Sequence, residues 1–97
     1  MIGGDYLMLE QKKFFKGLGF EECEFEYPTG KRTCYKGTDG DYYRIDHFGS
    51  SYVIECAENE EEAKLNQFED ADLYDDSLPT NELIDLIQSD LKKYISD

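Results

Sequence analysis

The sequence predicts an α+β fold: a four-stranded antiparallel meander with an N-terminal and a C-terminal helix packed on one face, in the order α-β-β-β-β-α-α. Three observations predict it. Apolar residues recur at helical spacing near both ends of the chain, the middle is a run of short alternating segments, and Gly- or Pro-containing turns separate those segments.

Taken in order, Met1 to Gly4 read as a loose leader, with Met8 an alternative start. From about Asp5 to Leu18, the apolar residues Leu7, Met8, Phe14, Phe15 and Leu18 fall at helical spacing. Lys12, Lys13 and Lys16 sit toward the C-terminal end of this segment, and Gly19 is placed to stop it in the left-handed conformation. Cys23, Phe25 and Tyr27 then alternate with Glu22, Glu24 and Glu26, the period of a half-buried strand, which ends at Pro28-Thr29-Gly30. Lys31 to Lys36 reads as the second strand, Gly37-Thr38-Asp39-Gly40 as a tight turn, and Asp41 to Phe48 as the third, with Tyr43 and Ile45 on one face. After Gly49-Ser50-Ser51, the run Tyr52 to Ala57 is β-branched and aromatic, the composition of a fourth strand. Asn59 and Glu62 form a capping box for a short helix expected to reach about Phe68. The segment from Glu69 to Ser77 carries five acids around Leu73 and Tyr74 and reads as an ordered acidic loop. Pro79-Thr80 opens the last helix, whose stripe is Leu83, Ile84, Ile87, Leu91, Tyr94 and Ile95.

A chain of 97 residues supports one domain, here 1–97, with one core. The formal charge is −13, yet 39% of residues are hydrophobic and 14% aromatic, enough apolar surface for a folded chain. So negative a charge excludes nucleic acid and an anionic membrane surface as partners, because phosphate contacts require clustered Lys and Arg. No stretch has the length and hydrophobicity of a membrane span, and the N-terminus lacks the pattern of a secretory signal, so the expected location is cytoplasmic. Cys23, Cys34 and Cys56 are odd in number and widely spaced, which reads as reduced core thiols rather than a disulfide framework or a zinc site.

The acidity is concentrated. Residues 55–76 hold ten acids against Lys64, a local charge of −9, whereas residues 1–54 and 77–97 each sum to −2. Two readings of that density stand side by side. In one, Glu58 and Glu60, Glu61 and Glu62 are favourable first-turn helix residues and the Asp run is a solvated loop. In the other, the segment is a binding surface for a basic protein, with charge steering the encounter and Tyr74, Leu73 and Phe68 supplying apolar anchors. The candidate partner-binding residues are Glu58, Glu69, Asp70, Asp72, Asp75 and Asp76, with Tyr74 as anchor.

Catalytic and metal readings are weaker. His47 is the only histidine, with Asp46 or Cys56 as helper were it a general base, but neighbours in a strand point to opposite faces. Neither Asp39-Gly40-Asp41 nor the run from Asp70 to Asp76 has calcium-loop spacing, and no phosphate-binding glycine motif or nucleophile elbow is present. The expectation is a protein that is not an enzyme and carries no cofactor or metal.

Several runs together resemble a known kind of protein. Tyr43-Arg44-Ile45-Asp46, then Tyr52-Val53-Ile54-Glu55-Cys56-Ala57-Glu58, then Glu62-Ala63 with Asn66, Phe68-Glu69-Asp70 and Asp72-Leu73-Tyr74, closing on Leu83-Ile84, Ile87 and Asp90-Leu91, look like small immunity proteins of bacterial polymorphic-toxin systems of the contact-dependent inhibition type. The likeness spans roughly residues 8 to 95. It implies a short, acidic, cytosolic α+β protein without catalytic activity, which binds and blocks the C-terminal toxin domain of a cognate effector. The same charge also suits a phage-type DNA-mimic inhibitor of a nucleic-acid-binding enzyme, or a non-catalytic adaptor domain.

Overall fold

The computed structural model describes residues 6–95, so the expected leader at Met1 to Gly4 lies outside the described residues. Eight elements follow one another: α1 (Tyr6–Gly17), β1 (Glu21–Tyr27), β2 (Gly30–Lys36), β3 (Tyr42–Phe48), β4 (Ser51–Ala57), α2 (Glu60–Lys64), β5 (Glu69–Asp75) and α3 (Thr80–Ile95). The α+β class and the antiparallel meander are as the sequence predicts. The strand count is not: the sheet has five strands, in the order β1-β2-β3-β4-β5.

The fifth strand is the segment expected to be an acidic loop. Glu69 to Asp75 pairs antiparallel with β4, Tyr74 opposite Tyr52, Leu73 opposite Val53 and Asp72 opposite Ile54, with a bulge between Ile54 and Glu55. Five acids from Glu69 to Asp76 argue against a central strand but not against an edge strand, where one side faces water and charge discourages unwanted pairing. The bulge also breaks the strict alternation by which strands are recognised. α2 is shorter than expected for an equally local reason. Asn59 caps its start by accepting the Glu62 N–H (2.8 Å), and the chain leaves the helix at Asn66, whose φ of 59° is left-handed. Asn66 N–H donates to the Ala63 carbonyl and Gln67 N–H to that of Glu62, a Schellman stop well before Phe68.

The two sides of the sheet differ. α1 and α3 cover one face, as predicted, burying Leu7, Phe14 and Phe15 with Leu83, Ile87 and Leu91 against Tyr35, Tyr43, Ile45, Tyr52, Ile54 and Tyr74. Aromatic rings interlock here: Phe15 stacks on Tyr35 (4.3 Å between centroids) and meets Phe20 edge-on (5.0 Å). Gly37 is required where the turn after β2 comes under this layer, because a Cβ there would lie 2.8 Å from an Asp39 carboxylate oxygen and 3.1 Å from Phe20 and Ile95. On the opposite face, α2 covers only one end, through Ala63 with Cys34, Tyr42 and Ala57. The middle of that face holds charge instead of helix. Arg44 is 5% exposed and bonds Glu55 through Nε at 2.6 Å, Arg32 bonds Asp46 at 2.7 Å, and the Arg44 guanidinium lies 3.9 Å from the Phe68 ring centre.

Candidate functional site

The acidic segment divides into two structural kinds. Glu55 belongs to the buried Arg44 cluster, whereas Glu58, Glu69, Asp70 and Asp75 are exposed. Asp72 and Asp76 are half-buried and already bonded: the Tyr94 hydroxyl donates to Asp72, and Asp76 lies 2.9 Å from Nε2 of His47. Tyr74 corrects an expectation. It is 9% exposed, sits in the core and donates its hydroxyl to Asp90 at 2.5 Å, so it is not a surface anchor. The physical reason is the register, which sets Tyr74 opposite Tyr52 on the helix-covered face.

Its neighbour Leu73 therefore points the other way and is 61% exposed. Register places Asp70, opposite Glu55, and Asp75, opposite Ser51, on that same outer face as Leu73. Phe48, 56% exposed and paired with Ser51, ends β3 on this face too. Sequence reasoning missed Phe48. The available signal was its position two residues beyond Asp46 and four beyond Arg44, on the polar side of β3. The outer face at the β5 end thus combines two exposed apolar side chains with exposed carboxylates.

The acids are not electrostatically alike. Burial and then the nearby Asp90 raise the Asp72 carboxyl above its ordinary range, while the Ser77 N–H holds Asp75 below it. Burial also raises Asp41, and burial together with Asp46 raises Glu55 despite its bond to Arg44. A carboxyl raised on folding binds its proton more tightly in the native state, so stability from Asp41, Glu55 and Asp72 grows as pH falls through their native values. The melting temperature is expected to climb as pH is lowered from 7 to about 5, helped by reduced self-repulsion. Asp72→Asn should flatten that rise, and calorimetry showing a steady decline from pH 7 to 5 would contradict this electrostatic picture.

His47 does not assemble a catalytic group with the expected helpers. Its ring stacks on Tyr52 (4.1 Å), while Asp46 is taken by Arg32 and the Cys56 thiol points toward Asp41 at 3.7 Å. Burial pushes the Cys34 and Cys56 thiols up to about 12, so both stay protonated at neutral pH. All three cysteines are free. Among the described residues, no group of three or more His, Cys, Asp or Glu is placed to hold a metal ion, and no helix is long and apolar enough to cross a membrane. Comparison with known proteins adds no relative: no family model, no curated protein and no solved structure matches the chain.

Proposed function

We propose that this chain is an immunity-type inhibitor that binds a basic toxin domain in the cytoplasm and blocks it, using the outer face of the sheet at β5. One observation carries the reading: exposed Leu73 and Phe48 share a face with the exposed carboxylates Asp70 and Asp75. Charge of one sign draws a basic domain in and sets its orientation, and desolvated apolar side chains then hold it. Glu58 and Glu69 extend the field around this patch, whereas Asp72 and Asp76 support the strand from within the fold.

This reading places a toxin gene immediately upstream of this chain's gene, and the test uses the C-terminal domain of its product. Association measured by stopped flow should slow about tenfold for Asp70→Asn/Asp75→Asn and lose much of its salt dependence. Leu73→Ala/Phe48→Ala should instead speed dissociation, weakening binding by about 2 kcal/mol or more. No complex with that domain, or wild-type rates for both variants, would refute the assignment.

A further inference from the structure

The ladder between β2 and β3 is cut short. Only Tyr35 opposite Tyr43 and Lys36 opposite Tyr42 are paired, although both strands run seven residues. Continued antiparallel pairing would set Thr33 opposite Ile45 and Lys31 opposite His47. Instead the side-chain amide of Gln11 in α1 takes the place of Thr33: Ile45 N–H donates to Gln11 Oε1 (3.2 Å), and Gln11 Nε2 donates to the Ile45 carbonyl (3.3 Å). Ile45 of β3 is thereby satisfied, and Thr33 of β2 is left without its ladder partner.

The groups left over can be identified. β1 and β2 are joined through Pro28 and Thr29, with Tyr27 paired to Gly30, so the alternate pairs Phe25/Arg32 and Cys23/Cys34 exchange the ladder bonds. The N–H and C=O of Lys31 and Thr33 consequently face the other way, into the seam, and neither residue's backbone has a partner there among the described residues. A cleft of about 310 Å³ opens at this place, within the range of ligand sites. Lys12, Lys31 and Arg32 line it, with Gln11, Thr33 and Tyr35 and no acid. Arg32 is engaged by Asp46 and Lys12 by Glu22, whereas among the described residues the Lys31 ammonium has no ion-pair partner, with Glu26 its cross-strand neighbour on β1. Of these three cations only Lys31 is left to a ligand, because Glu22 holds Lys12 and the Arg32 guanidinium turns to Asp46 on the opposite face of the sheet.

We propose that this seam binds an extended acidic peptide segment, which adds to the inner edge of β2 through the backbone of Lys31 and Thr33 and sets a carboxylate against Lys31. Two backbone groups at alternate residues are what strand addition requires, and an unpaired cation beside them selects the side chain that follows. The inference is independent of the outer acidic face.

The experiment is an amide-resolved NMR titration of the full chain with acetyl-Glu-Thr-Glu-Thr-Glu-amide, with the corresponding Lys-Thr-Lys-Thr-Lys peptide and succinate as comparisons. Saturable shifts confined to Gln11, Lys31, Arg32 and Thr33 are expected, with hydrogen exchange at the Lys31 and Thr33 amides slowed about tenfold, because a bound strand covers those donors. Lys31→Glu should weaken binding about tenfold by opposing like charges, and Lys31→Gln by less. Lys31 is exposed, so both variants are expected to keep the native amide spectrum elsewhere. Absence of saturation, equal binding of the lysine peptide, unchanged affinity in both variants, or the same shifts and protection from succinate would each overturn the proposal.

Discussion

Arg44→Ala is expected to destabilise the fold by about 3–5 kcal/mol, the cost of stranding a buried charge rather than of losing one contact. The guanidinium stands between Glu55 (2.6 Å) and Asp46 (3.9 Å), and removing it leaves two carboxylates facing each other on a poorly hydrated sheet face. It also removes the cation from over Phe68, loosening the turn that leads into β5. Two further measurements distinguish this account from simple loss of packing. Arg44→Met/Glu55→Leu, which removes both charges and keeps the volume, should recover most of the loss in urea unfolding. The single variant should also regain stability as pH falls, since burial already raises Glu55 and the loss of Arg44 removes the bond that opposes its protonation. If Arg44→Ala costs under about 1 kcal/mol, the cluster does not hold this face together.

Phe15→Ala is the other large effect, about 3–5 kcal/mol in the urea midpoint analysis. Its ring is fully buried between Tyr35 and Phe20, where α1 meets the sheet. A total stability of about 5–15 kcal/mol is ordinary for a domain, so this one truncation is expected to remove a large share of it. Phe15→Leu, which keeps most of the volume, should cost clearly less. Equal losses for the two variants would mean that the ring's aromatic contacts, not its bulk, dominate.

Much of the architecture was legible because it follows from periods. The stripe Leu83, Ile87 and Leu91 and the alternation of Tyr43 and Ile45 both report which face is buried, and both are buried as read. The Asn59 and Glu62 signature also marks a real helix start. β5 was illegible for the converse reason: its strand character comes from pairing with β4, while its own composition is that of a solvated loop. α2's early stop was written in Asn66, a residue that tolerates left-handed backbone, but acids and Ala on either side outweighed it. Within the candidate site, the acids of the −9 segment were found by counting, yet counting cannot assign faces. Only the register separates Tyr74, turned into the core, from Leu73, turned out. Gln11 had no sequence signal at all, since an amide in the middle of a lysine-rich helix reads as surface.

Every strand in this sheet pairs with its neighbours along the chain, from β1 through β5. Closing each pair therefore costs only a short loop, with α2 the longest interruption, and no strand waits for a distant part of the sequence to be made. Such a sheet can zip up progressively behind the ribosome, with α3 arriving last to lock the helix-covered face. For the inhibitor proposed above, which must be folded before it meets its target, that order of assembly is an advantage: readiness is built into the connectivity.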